Sequence, residues 1–282
     1  MKSDATVAGI SEPAISQAEL LFQAQQRKMQ RFRTSVGVSW IVLLLVMITL
    51  FSGVKLPLGL KTIHLDTEFI RDNLRFIASG IGVTIGISVL SIILATLLAL
   101  LAALGRLSNF PPIYALSTFY VSLIRGTPLF LQLFFFFLAL PQLGIVLSGL
   151  WSGVLALGLN YGAYMSEIFR SGIASVGKGQ REAAMALGMT PSQTMRRVVL
   201  PQALRFAIPP TGNEFIAMTK DSALVSATGF VHELMWRATK VGRAYFRSME
   251  ALIIAAVFYW IMTLILSYFQ SRIEARFSRG DR

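Results

Sequence analysis

The chain has 282 residues, 54% of them hydrophobic and 14% charged, with a mean hydropathy of +0.62. Soluble domains carry about 25% charged residues, so this balance excludes an ordinary water-soluble globule and points to lipid as the solvent. The formal net charge of +12 does not mark a nucleic-acid binder, because the cations flank apolar runs instead of forming one face.

The chain has no cysteine, which excludes disulfides and thiolate metal sites. Residues 1–35 read as a cytoplasmic tail, mobile or interfacial and amphipathic, closing on Arg27, Lys28, Arg31 and Arg33. The first apolar run, Val36 to Val54, is long enough to span and has no small-residue cleavage site close behind it. It reads as a signal anchor with a cytoplasmic N-terminus, and with its outer loop it fills residues 36–75.

The second span is the clearest, with no charged residue from Phe76 to Leu104. Gly80, Gly82 and Gly86 on its early turns are expected to let another helix approach closely. A short turn through Arg106 and Pro111-Pro112 leads to a third span, Tyr114 to Leu140, interrupted by Arg125-Gly126-Thr127-Pro128. Leu129 to Leu140 alone would rise only about 18 Å against a hydrocarbon core of about 30 Å. The residues before Arg125 must therefore contribute, with Pro128 kinking or restarting the helix.

The fourth span, Ile145 to Phe169, carries Asn160, Tyr161, Tyr164 and Glu167, and residues 171–205 then turn polar and basic. The fifth apolar segment, Phe206 to Phe230, contains Pro209, Pro210, Gly212, Asn213, Glu214, Lys220 and Asp221. It is expected to be broken around Pro209 to Asn213 and cannot be a plain lipid-facing helix. The last span, Ala251 to Phe269, precedes Arg272, Arg276, Arg279 and Arg282.

Six spans starting inside bring the C-terminus inside as well. The inner side then collects twice as many lysines and arginines as the outer side, in keeping with the positive-inside bias. Arg237, Lys240, Arg243 and Arg247 fall on the outer side and run against it. The sequence gives no account of them.

Gly172 to Lys178 fits the first seven positions of a phosphate loop, GxxxxGK, but the eighth residue is Gly179, with no hydroxyl for magnesium. A membrane helix precedes it where a buried strand is needed. Any ATP used by this protein must therefore be hydrolysed on another chain.

The most specific feature is Glu182-Ala183-Ala184-Met185-Ala186-Leu187-Gly188, then nine residues, then Val198-Val199-Leu200-Pro201. Gln180 to Leu187 are strong helix formers, and Gly188 suits a left-handed C-terminal cap. Thr190-Pro191-Ser192-Gln193 reads as a capping box with proline at the first helical position. A second helix is expected to stop before Pro201. Ala183, Ala184 and Leu187 would form a small apolar patch able to enter a partner's groove. The alternatives are a loop helix lying on the protein's own spans, or a DNA-reading helix pair, which tethering at both ends to membrane helices disfavours.

This loop resembles the EAA motif of permease subunits in binding-protein-dependent ABC importers, with Val198 in place of an isoleucine. Arg125-Gly-Thr-Pro-Leu, Ala163-Tyr-Met-Ser-Glu167-Ile, Lys178-Gly-Gln-Arg-Glu182-Ala-Ala, Leu200-Pro-Gln-Ala-Leu-Arg205 and Lys220-Asp-Ser-Ala-Leu-Val225 resemble the subfamily for polar amino acids: histidine, glutamine, glutamate, arginine and opines. The likeness covers Phe76 to the C-terminus. Gly177 stands where that family usually has proline, and the region through Val54 adds a tail and a span to a five-span core.

The resemblance implies an all-α polytopic protein of the bacterial inner membrane, with about six transmembrane helices and a cytoplasmic coupling helix pair. Residues 76–282 would be the permease domain, and both termini would be cytoplasmic. It also implies an ABC ATPase dimer carrying ATP and magnesium, a second permease, identical or related, and an extracytoplasmic solute-binding protein. No cofactor is expected in this chain. Glu182 would be the polar anchor in the ATPase cleft, Ala183 and Ala184 would permit close approach, and Gly188 the turn; Leu187, Leu200 and Pro201 complete the coupling set.

Ionisable groups within spans are costly and are candidates for a cavity or a partner. Glu167, Glu214 and Asp221 qualify, with Gln132, Asn160 and Asn213 as neutral donors and acceptors for the ammonium and carboxylate of an amino acid. Glu167 could instead pair with Arg170, Arg125 or Lys220, and Asp221 could form a structural or gating pair beside Lys220. An ion-coupled secondary transporter would also use broken helices and buried charges, but it would leave the helix pair unexplained. His64 and His232 are the only histidines and belong to no catalytic constellation, so no enzymatic activity is expected.

Overall fold

A computed structural model describes residues 17–52 and 64–277, and every regular element among them is helical. The chain divides into two units, Met1–Asp66 and Thr67–Arg282. Val54, Lys55, Lys61, Arg279, Arg282 and most of the tail lie outside the described residues.

In the first unit α1 (Gln17–Leu50) is one helix of 34 residues, about 50 Å long. It passes residue 35 without a break, where the sequence suggests that a tail gives way to a span. Along it Thr34, Ser39 and Thr49 donate to the carbonyls of Gln30, Ser35 and Leu45 at 2.8–3.0 Å. Hydroxyls bonded back onto their own helix need no other partner in lipid.

The second unit opens with the amphipathic α2 (Thr67–Ala78) and continues through Ser79-Gly80 into α3 (Ile81–Gly105). Next come α4 (Pro111–Arg125) and α5 (Leu129–Phe134), which runs on through a π-turn and a 3-10 turn to Leu143. The axis bends by 104° between Arg125 and Leu129, so Pro128 restarts the helix as expected. Proline lacks the N–H and its ring clashes with the preceding turn. The central helix is α6 (Gly149–Ser175), capped by the Ser148 hydroxyl. The remaining helices are α7 (Lys178–Ala186), α8 (Pro191–Thr194), α9 (Leu200–Asp221), α10 (Leu234–Ala244) and α11 (Ser248–Phe277).

By length and composition Leu21–Leu50, Thr67–Gly105 and Ser248–Arg276 can each cross a membrane, and the α4–α5 pair, bent by 104°, adds a fourth if it is one broken span and not a re-entrant loop. The other two expected spans are α6 and α9, at 27 and 22 residues. They are long enough but more polar. Most of α6 is covered by protein, with Ser152, Asn160, Tyr161 and Ser166 all buried, so those positions need not match lipid; Trp151 and Tyr164 remain exposed.

Small residues set the close contact between α3 and α6. Ser88, Ser91, Ala95, Ala99 and Ala102 recur every three or four positions on the buried face of α3. On α6, a Cβ added to Gly158 or Gly162 would sit 2.6 Å from Leu94 or 3.0 Å from Leu98. The expectation for the three early glycines holds for Gly80 alone, where a Cβ would come within 2.6 Å of the Leu234 nitrogen. Gly82 and Gly86 have open space at that position.

Two helix breaks read from the sequence do not occur. The chain runs from α8 through a π-turn, Met195–Val199, directly into α9, so no second helix ends before Pro201. The wider turn lets the Leu200 N–H reach the Met195 carbonyl, which accommodates a proline at the following residue. Pro209 and Pro210 likewise lie inside a continuous α9. There packing overrides propensity: α9 is held between α6 and α11, and Gln270 of α11 donates to the Pro209 carbonyl at 3.1 Å.

Three cores result. Ile87, Ala95, Leu157, Met165 and Met218 join α3, α6 and α9. Phe69, Ile77, Leu234, Ala238 and Ile254 join α2, α10 and α11. Ile173, Val176, Val199 and Ala203 close the end where α6 meets the α7–α8 hairpin.

Candidate functional site

The hairpin is built by local chemistry at both of its ends. Gly188 has φ +79°; its N–H donates to Met185 O at 2.9 Å, and Met189 N–H donates to Ala184 O at 3.1 Å. This pair of bonds satisfies carbonyls that a helix end leaves free. Nothing lies within 4 Å of an added Cβ there, so the turn needs the backbone freedom of Gly188, not the space. Two residues on, the Thr190 hydroxyl accepts from Gln193 N–H at 3.3 Å, and Gln193 Oε1 accepts from Thr190 N–H at 2.9 Å. The capping box read from the sequence is therefore formed.

Arg181 ties α7 back to α6 by donating to Ile173 O at 2.5 Å. The apolar patch expected from Ala183, Ala184 and Leu187 is divided by this packing. Ala184 is 4% exposed and faces inward, whereas Leu187 is 79% exposed. Glu182, Ala183 and Met185 also face outward. Leu200 is half-buried and Pro201 exposed on the first turn of α9. The outward face is one carboxylate among small and flexible apolar side chains, with no bulky group to block close approach.

A second group of functional candidates lies along α6. Glu167 accepts from Arg106 Nη1 at 2.5 Å, Arg125 Nη1 at 3.3 Å and Arg170 Nε at 3.0 Å. Arg125 also lies over the Tyr164 ring at 5.1 Å. Arg125 and Arg170 were among the partners expected from sequence; Lys220 is not brought to this carboxylate. Arg106 was missed, because 61 residues separate it from Glu167 and only the α3–α6 packing closes that distance.

Gln132 is buried, and its amide donates to Ile124 O at 2.9 Å, Thr127 O at 3.1 Å and Thr127 Oγ1 at 2.9 Å. Its carbonyl accepts from Asn160 at 3.3 Å. Gln132 therefore secures the α4–α5 bend, because a broken helix frees backbone groups that need partners. Asp221 accepts from the Tyr161 hydroxyl at 2.7 Å and ties α9 to α6. Glu214 lies seven residues earlier on α9, on the same side of the helix, and is half-buried. Among the described residues neither Glu214 nor Asp221 is salt-bridged to a cation. Asn213 is exposed and accepts from Gln270 at 2.9 Å.

Glu233 joins the candidates on structural grounds alone. It is fully buried and caps α10, accepting from Met235 N–H at 2.9 Å and Trp236 N–H at 2.6 Å. It also accepts from Tyr259 at 2.8 Å, while Thr84 of α3 receives the Leu234 N–H at 3.2 Å. Glutamate is an uncommon capping residue, so no sequence signal marked it. At the phosphate-loop-like stretch, Gly172 to Ser175 is the end of α6, with no strand before it. Among the described residues no group of His, Cys, Asp or Glu is placed to hold a metal ion.

Residues 95–279 match the family described as binding-protein-dependent transport system inner membrane component. The chain is 39% identical over 219 residues to the arginine transport system permease protein ArtQ of Bacillus subtilis (strain 168), covering 77% of this chain and 100% of that one. It is 44% identical over 204 residues to the L-cystine transport system permease protein TcyB of the same organism, covering 72% and 87%. Among solved structures, a crystal structure of an amino acid ABC transporter with histidines superposes with a TM-score of 0.72 at 38% identity, covering 76% of this chain and 100% of the other.

Proposed function

The chain belongs to the family of binding-protein-dependent transport system inner membrane components, and from that premise we propose that it is the permease subunit of an ATP-driven importer of polar amino acids. Relatives named for arginine and L-cystine support the substrate class without selecting one amino acid. In this reading the cargo is chosen by an extracytoplasmic solute-binding protein. A second permease, identical or related, completes the pathway, and a dimer of ATPase subunits carries the ATP and magnesium. Residues 76–282 form the transport domain, and the hairpin and both termini face the cytoplasm. The family is ATP-driven, and no observation favours the ion-coupled alternative.

One observation carries the mechanism. The hairpin that exposes Glu182, Ala183 and Leu187 is continuous with α9 through Leu200 and Pro201, with no loop between them. A load applied to α7 by a closing ATPase cleft therefore reaches a membrane-crossing helix through hydrogen-bonded structure. That helix holds Asn213, Glu214 and Asp221, and through Tyr161 it is tied to the helix holding Asn160 and Glu167. These residues, with Gln132 behind them at the bend, are our candidates for the substrate pathway: carboxylates for the ammonium, amides for the rest.

The experiment is amino-acid uptake by cells or proteoliposomes carrying Glu182→Arg or Gly188→Trp. We expect normal insertion and abundance with transport abolished. Normal uptake by both variants at normal abundance would refute the coupling role.

A further inference from the structure

The cations of α10, which the sequence left without a role, form one face. Leu234, Ala238 and Val241 turn into the core shared with α2 and α11. Arg237, Lys240 and Arg243 come off the other side, since each residue turns the helix by about 100°. Arg237 donates to His232 O at 2.9 Å and lies over the Phe76 ring at 5.0 Å; Lys240 lies over Trp236 at 4.7 Å. These contacts hold the side chains in place without cancelling their charge. Among the described residues none of the three is salt-bridged to a carboxylate.

The turn after α10 adds an aromatic tip. Phe246 has φ +54° and is the one non-glycine residue with positive φ among those described. The residue is 94% exposed. The turn is firmly made: Tyr245 N–H donates to Val241 O at 3.0 Å and Arg247 N–H to Gly242 O at 2.8 Å, while Tyr245 packs edge-on against Phe69. The protein thus holds a phenylalanine outward, in a conformation that costs roughly 1–2 kcal/mol, and its own core gains no burial from it. Strain kept at an exposed side chain points to a use outside the chain.

Both features lie at the end opposite the hairpin. The start of α6 packs against Thr228 and Val231, just before α10, and its other end, 27 residues on, meets the hairpin. We infer that the cationic face of α10 and the Phe246 tip dock an acidic surface of the solute-binding protein. This rests on the importer reading, which puts the hairpin in the cytoplasm and so turns α10 outward. The partner would present aspartates and glutamates around a shallow apolar hollow, the pattern in which charge steers encounter and one buried ring anchors it. An anionic bilayer fits less well, because an interfacial helix needs a free apolar face and that of α10 is already occupied.

The test is binding of the purified solute-binding protein of the same transport system to the full permease–ATPase complex in nanodiscs. Wild type should bind, and more weakly as salt rises, because exposed charges are screened. Lys240→Glu/Arg243→Glu should weaken binding by about tenfold or more and flatten the salt dependence. Phe246→Gly, which suits the left-handed backbone and removes only the ring, should speed dissociation. Salt-independent wild-type binding overturns the proposal even if the charge variants fail to assemble. So does equal affinity of wild type and variants, including the case where Trp236 fluorescence is quenched by brominated phosphatidylglycerol and the face proves to meet lipid. If wild type neither binds the protein nor shows ATP hydrolysis stimulated by it, the importer reading fails too.

Discussion

Glu167 and Arg106 meet at 2.5 Å across 61 residues of chain, and this contact joins the end of α3 to α6 beside the α4–α5 bend. Arg125 and Arg170 share the same carboxylate. Removing it would leave three guanidinium groups facing one another in a site about a quarter exposed.

We therefore expect Glu167→Ala to destabilise the protein by about 2–3 kcal/mol, the range for a lost charged hydrogen-bond centre in partial solvent. Glu167→Asp should fall between that variant and wild type. Thermal unfolding in detergent, followed by loss of monodispersity, reads this directly. An unchanged midpoint would show that the three guanidinium groups do not depend on this carboxylate for stability, leaving Glu167 with its pathway role alone.

Gln132 makes a sharper case. Its amide serves Ile124 O, Thr127 O and the Thr127 hydroxyl at once, within a 104° bend. Gln132→Ala leaves these buried groups without their donor and should cost about 1–3 kcal/mol. Gln132→Glu has the right shape but no N–H and should cost at least as much. If Gln132→Glu melts with wild type, the bend does not depend on this amide.

Local chemistry was legible in the sequence, and long-range packing was not. Gly188, Thr190 and Gln193 declare the hairpin because their bonds reach no further than five residues. Pro128 declares a bend for the same reason. Pro201 and Pro209-Pro210 carry the same local signal, yet α9 continues, because α6 and α11 hold it and the π-turn absorbs the register change. Glycines at 80, 82 and 86 look equivalent in sequence; only the arrival of Leu234, 154 positions beyond the first of them, separates them. The pairing of Arg106 with Glu167 and of Tyr161 with Asp221 is invisible until α3, α6 and α9 are packed.

Glu233 should behave as the pin that fastens α10 to the bundle. It receives two backbone N–H groups and the Tyr259 hydroxyl in a fully buried setting. Glu233→Gln turns an NH2 toward those donors and should cost about 2–3 kcal/mol. Tyr259→Phe removes one donor of several and should cost about 1 kcal/mol. Hydrogen exchange of the α10 amides is the readout, with faster exchange in Glu233→Gln than in Tyr259→Phe. Equal protection in both variants would mean that the apolar packing of Leu234 and Ala238, not the carboxylate, fixes the helix.

Gly80 and Gly86 give a pair of opposite sign. A Cβ at Gly80 would lie 2.6–2.8 Å from the Leu234 and Glu233 backbone, and backbone cannot swing aside as a side chain can. Gly80→Ala must therefore push α10 away from α3 and disturb the Thr84–Leu234 bond, at a cost of about 1–3 kcal/mol. Gly86 is helical with open space at the same position. Gly86→Ala removes backbone freedom from the unfolded chain and should stabilise by about 0.5–1 kcal/mol. Melting midpoints of the two variants should move in opposite directions from wild type. A shift of the same sign in both would show that the α3–α10 contact is looser than the 2.6 Å approach requires, because relief at Gly80 is possible only if Leu234 can retreat.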